Sequence, residues 1–183
     1  MANGLVRSAW SVDSHIRLHV SVSRFLHRWI PFLGRYLAML ADRLLLVAYG
    51  VDLLSASIDV AHLSVPHPGG VLLGGNGIVS RGRVAIMAGV KFVGRKPDDA
   101  NYLALHAERA VFRLGDNVVI GSNSVIIGPT EICDNVMIGA MSLVNRPIME
   151  PGTYAGVPAR RISDETPTGW LPASLPTDRE TGK

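Results

Sequence analysis

A chain of 183 residues that is 48% hydrophobic and 18% charged can bury a core and is neither disordered nor fibrous. Its net charge is +3, and its one cysteine, Cys133, rules out an internal disulfide framework and reads as a small core residue in a reducing compartment. The most apolar run, Leu44 to Tyr49, is far short of the roughly 20 residues a membrane span needs, and no secretory signal is expected.

Residues 1–50 carry six Arg against two Asp, a net of +4, while the remaining 133 residues sum to −1. Phe25, Leu26, Trp29, Phe32, Leu33, Leu37, Leu40 and Leu44 recur at helical spacing, interrupted at Pro31, so this region is expected to be helical. Arg24, Arg28, Arg35 and Arg43 would project from the other side. Two readings stand: a helical cap with a solvated basic face, or helices that lie on a membrane surface. The charge is matched by no binding motif, so a nucleic-acid partner is not expected.

From residue 51 a different period takes over. Leu114, Ile120, Ile126, Ile132, Ile138 and Val144 fall in steps of six, and four places on from each sits Val118, Ser124, Thr130, Val136, Ser142 or Ile148. Six fits neither the 3.6 of a helix nor the 2 of a flat strand. It fits a parallel β-helix, in which three short units close one triangular coil. Each aliphatic points inward and stacks on its equivalents about 4.8 Å above and below, since no coil buries its face alone. Asn76, Asn117, Asn123 and Asn135 fall where tight corners are needed. The same phase is read upstream at Val60, Leu72, Ile78, Val84 and Val90, breaks at Lys96 and Tyr102, and is expected to return at 114 without a slip.

The expected architecture is mainly β. A helical region, 1–50, precedes a β-helix over 51–162, and the tail, 163–183, is expected to be extended or disordered. The out-of-register insert, 95–113, is expected to leave the coil as an external loop. Long loops on a rigid scaffold often line an active site.

Three segments carry a family resemblance. The first is "LSVPHPGGVLLGGNGIV", in which His67 follows Asp52 by fifteen residues; the second is "AGVKFVG" at 88–94; the third is the run 115–162, closing on "AGVPARRI". Together they resemble the serine acetyltransferase branch of the hexapeptide acyltransferases. The opening "SAWSVDSHIRLHVSVSRF" further resembles the start of colanic-acid and capsular acetyltransferases. The likeness covers about residues 8–162. It implies a left-handed parallel β-helix, a cyclic homotrimer with intersubunit clefts, a cytoplasmic enzyme, and acetyl-CoA as co-substrate without a metal. The N-terminal helices would offer a peripheral contact at the inner membrane surface.

In that family a histidine deprotonates the acceptor hydroxyl, and His67 occupies the matching position. A neutral hydroxyl is a poor nucleophile, whereas an imidazole titrating near about pH 6.5 can take its proton as the new bond forms. Asp52 matches the carboxylate that orients this imidazole, with Asp59 as the alternative. The family's second histidine falls at Val111; His106, five residues earlier, and Tyr102 are the candidate acceptor contacts. Val93, Gly94 and Arg95 match the turn beside the pantetheine, and Ser122 and Ala140 the corners whose amides line the cleft. Arg146 and Arg160 match basic positions near the nucleotide phosphates. Pro66 stands where serine-specific members usually carry Asp; with Val111, this argues against L-serine. The expected reaction is therefore acetyl transfer to a sugar hydroxyl in polysaccharide or glycolipid assembly. Serine O-acetylation is the alternative, and a non-catalytic scaffold subunit the second alternative.

Overall fold

The computed structural model describes residues 11–171 apart from 31, 97 and 168. Two antiparallel helices open the described residues. Ser11 caps α1 (Val12–Trp29) by accepting the Ser14 N–H at 3.1 Å, and α2 (Leu33–Tyr49) ends at Gly50, which takes the left-handed conformation. Ile16, Val20 and Ser23 face inward from α1, and Gly34, Ala38, Asp42 and Leu45 from α2. The helices cross closely at Gly34, where any Cβ would stand 2.3 Å from the Leu26 carbonyl oxygen.

A buried polar knot fastens this cap to the barrel. The Asp42 carboxylate, 4% exposed, bonds His19 Nε2 at 2.8 Å, accepts the Ser55 N–H at 3.0 Å, and bonds the Ser55 hydroxyl. Burial alone would raise its pKa, but the hydrogen bonds from His19 and Ser55 outweigh burial and hold it below its ordinary value.

Thereafter the chain winds into a three-faced parallel coil. The first face is a five-stranded sheet of β1 (Asp52–Leu53), β3 (Leu72–Gly74), β5 (Lys91–Gly94), β8 (Val125–Gly128) and β11 (Leu143–Val144), in that order. The other two faces are joined because β2 (Ile58–Ser64) and β4 (Ile78–Ile86) each run on around a corner. β6 (Phe112–Leu114) and β9 (Thr130–Ile132) continue one of them; β7 (Val118–Ile120), β10 (Val136–Ile138) and β12 (Gly152–Ala155) continue the other. Leu114, Ile120, Ile126, Ile132, Ile138 and Val144 are all buried, as the six-residue period requires. Asn117, Asn123 and Asn135 take positive φ at the corners, and so does Met141, which has no turn signature. Cys133 is half-buried and packs on the core from a corner. Burial, then the neighbouring Asp134 carboxylate, push its thiol up, away from the reactive thiolate.

Four expectations need correction. Upstream, Val71 and Leu73 are the inward residues and Leu72 faces out, because the corner between Leu73 and Ile78 holds one residue more than the period allows, so Leu72 pairs with Lys91 instead of Val90. The phase also slips across the insert. Gly94 pairs with Gly128, 34 residues on, whereas Phe112 pairs with Thr130, 18 on, so the insert adds 34 − 18 = 16 residues. Sixteen is not a multiple of six, and Val84 consequently pairs with Val118 rather than Ile120.

The insert, moreover, is not simply a loop. Asp99 caps a short helix, α3 (Ala100–Ala107), by accepting the Asn101 and Tyr102 N–H groups. The tail folds back over its described length: β13 (Arg160–Ser163) runs antiparallel on β12, and Leu171 packs beside Ala85, Met87 and Val119. The rest of the expected tail lies outside the described residues.

Candidate active site

His67 stands exposed on the corner between β2 and β3, flanked by Pro66 and Pro68. The corner is tied down on both sides. Val71 N–H donates to the Pro68 carbonyl at 3.0 Å, and Gly70, at φ +72°, donates to Gly50 at 3.1 Å. Just ahead of it, the Val65 N–H donates to Asp13 Oδ1 at 2.6 Å, so the first turn of α1 anchors the strand end that carries His67. Nothing local in the sequence marks Asp13 for this role, because the bond joins residues 52 apart.

The two candidate carboxylates separate clearly. Asp59 lies in β2 and is engaged by Arg24 at 2.7 Å and Arg81 at 3.4 Å. Asp52 lies in β1, its N–H bonded to the Val71 carbonyl, on the coil directly adjoining the His67 corner. No hydrogen bond joins Asp52 to His67. Asp52 lines a groove of about 330 Å³ with Met39, Asp42 and Arg43 of α2.

The remaining expected residues fall on two edges of the first face. His67, Ser122 and Ala140 lie at the amino ends of β3, β8 and β11, on corners stitched by Gly89 N–H to Gly69, Asn123 N–H to Ala88 and Met141 N–H to Ser122. Val93, Gly94, Arg95 and Arg146 lie at the carboxyl ends of β5 and β11. There Arg95 donates to the Asn145 carbonyl at 2.7 Å, and Arg146 and Arg160 line one groove of about 190 Å³. Two guanidinium groups in one groove suit phosphate oxygens. The breadth of a strand separates the edges, roughly 10 Å at about 3.3 Å per residue.

The insert belongs to the second edge, so on a single chain it does not stand beside His67. Tyr102 is 6% exposed; its ring lies against Gly94, where a Cβ would come within 2.7 Å, and its hydroxyl donates to Asn76 Oδ1 at 2.7 Å. It packs the insert down instead of presenting a free hydroxyl to an acceptor. His106 is exposed and stacks on Tyr102, ring centroids 5.8 Å apart. Val111 is 1% exposed and points into the core beside Phe112 and Gly128, so the place of the family's second histidine is a packing position in this chain. Among the described residues no group of three His, Cys, Asp or Glu could hold a metal ion.

Residues 113–146 match the bacterial transferase hexapeptide (six repeats) model. Serine acetyltransferase from Haemophilus influenzae is 29% identical over 129 residues, 70% of this chain and 45% of that enzyme. The crystal structure of serine acetyltransferase from Brucella abortus superposes with a TM-score of 0.70 at 20% identity, covering 85% of this chain and 58% of that one. A serine acetyltransferase in complex with CoA gives a TM-score of 0.60 at 26% identity, covering 79% and 55%. The chain spans about half the length of the curated relative, whose whole-protein properties do not pass to it by similarity alone. These matches overturn the expected sugar acceptor in favour of the serine alternative, despite Pro66 and Val111. The chain is a mainly β protein with N-terminal helices, and it shares the hexapeptide-repeat transferase fold of the serine acetyltransferases.

Proposed function

We propose that this chain transfers an acetyl group from acetyl-CoA to the hydroxyl of L-serine. The observation that supports this most directly is the exposed imidazole of His67, held on an anchored corner of a fold it shares with serine acetyltransferases. In the reaction, His67 takes the hydroxyl proton while the oxygen attacks the thioester carbonyl. The carbon–oxygen bond forms, the carbon–sulfur bond breaks, and the proton passes to the departing CoA thiolate. Backbone N–H groups of the Ser122 and Ala140 corners stabilise the oxyanion, and Arg95, Arg146 and Arg160 bind the pantetheine turn and the phosphates. Asp52 orients the imidazolium from the adjoining coil.

Because the two candidate edges lie on opposite sides of one face, each complete site takes His67 from one copy and the Arg95–Arg146 edge from its neighbour, in a homotrimer. Measuring thiol release from acetyl-CoA with and without L-serine tests the reading. Serine-dependent release that His67→Ala abolishes is the expected result. Release no faster with serine than with buffer would overturn it.

A further inference from the structure

A groove of about 370 Å³ runs between α1 and the corner where β2 and β4 pass from one face of the coil to the next. Arg17, Ser21 and Arg24 line it from α1, at spacings of four and seven that share one side of a helix. Asp59 and His62 line it from β2, and Arg81 from β4. None of these residues lies on the first face, whose two edges carry the candidate active site, so the groove stands apart from the proposed reaction.

Charge in the groove is unequal. Asp59 meets Arg24 at 2.7 Å through one oxygen and Arg81 at 3.4 Å through the other. The carboxylate partner of Arg17 is Asp13, at 3.3 Å, which lies outside the groove lining and also accepts the Val65 N–H. His62 is exposed and has no hydrogen bond or ion pair among the described residues. One carboxylate therefore answers three guanidinium groups and an imidazole inside one concave site. A latch between helix and coil would need only Arg24 and Asp59. Arg81, whose side chain is 87% exposed, and His62 add donors that fasten nothing. Guanidinium forks take phosphate oxygens two at a time, and a phosphate-bearing anion brings several oxygens and more than one charge to a set of donors in excess. Each contact is part-exposed and weak singly, so the site works by converging several on one ligand. We propose that this groove binds a small anion bearing phosphate groups, held by Arg17, Arg24, Arg81 and His62.

Calorimetric titration with pyrophosphate tests this, using the full chain carrying Arg146→Glu and Arg160→Glu so that the other arginine groove is disabled. One saturable site per chain is expected at fixed ionic strength, with a melting temperature raised by pyrophosphate. Adding His62→Ala and Arg81→Ala should weaken binding on the order of tenfold or more, while melting without pyrophosphate stays unchanged. Arg17→Gln should by itself weaken binding severalfold, which decides the matter if the His62/Arg81 variant melts early. Heat that does not saturate, or an affinity that these variants leave unchanged, would overturn the proposal. So would saturable binding by the parent that is lost with Arg146→Glu and Arg160→Glu, which would place the anion in the other groove.

Discussion

His67 and Asp13 divide the work at the candidate centre between chemistry and position. His67→Ala removes the proposed proton acceptor and should lower turnover by roughly 10²- to 10⁴-fold, with acetyl-CoA affinity measured by calorimetry near that of the parent. Asp13→Ala leaves the imidazole in place but frees the Val65 N–H that the carboxylate now accepts. It should lower kcat by about tenfold or less without moving the pH at which activity half-rises, since the corner is loosened and the imidazole's surroundings are not. A shifted pH profile would mean that Asp13 acts on the imidazole itself. Of these two residues only His67 was legible in the sequence, from its Pro-His-Pro-Gly-Gly corner and the likeness around it. Asp13 reads there merely as an acid in a helix's first turn, which the helix dipole alone would explain. Position 111 shows the opposite failure. Its family alignment is legible, but whether a side chain there faces solvent or core depends on a register that only the folded coil sets.

At the scale of elements, the buried Asp42 contacts of the cap and the Gly94–Tyr102 packing of the insert can be tested separately. Asp42 has a folded pKa below its unfolded value, so its contribution is present above the ordinary carboxylate range and is lost as pH falls through and below about 4. Asp42→Asn should therefore lower the melting temperature at pH 7 and narrow the gap to the parent as pH drops towards 3. An unchanged gap across that window would show that the knot acts through shape, not charge. For the insert, Gly94→Val drives a side chain into the Tyr102 ring and should detach α3 while leaving the coil, whose register depends on β5 and β8, intact. Hydrogen exchange should then speed up over residues 98–110 alone; faster exchange through β8 as well would show that α3 stabilises the coil. The coil was readable because six-residue stacking repeats one inward position many times over. α3 was not, since eight residues hold too few turns to show a period and its docking rests on Gly94 and Asn76, both remote in sequence. The two-residue slip across the insert was hidden for a related reason: a period of six is blind to pairing choices that keep an aliphatic inward on either side.

For the whole molecule, the decisive question is whether one chain can complete the site. His67 and the Ser122 and Ala140 corners occupy the amino-end edge of the first face, and Arg95, Arg146 and α3 occupy the carboxyl-end edge. Parallel strands keep these edges a strand's breadth apart along the whole coil. In the proposed ring of three, the leading edge of one copy would meet the trailing edge of the next. Co-expressing His67→Ala with an Arg146→Glu, Arg160→Glu chain separates the possibilities, because each variant is inactive alone but damages a different edge. If assembly is random and the site is shared, a cleft is intact when it draws His67 from the arginine variant and the arginines from the histidine variant. That combination arises in about one cleft in four, so the mixture should regain about a quarter of the parent's activity. Light scattering of the mixture should give the mass of three chains. Mixed trimers that stay inactive would mean that each chain carries its own complete site, and the division of the site between two edges would have to be abandoned.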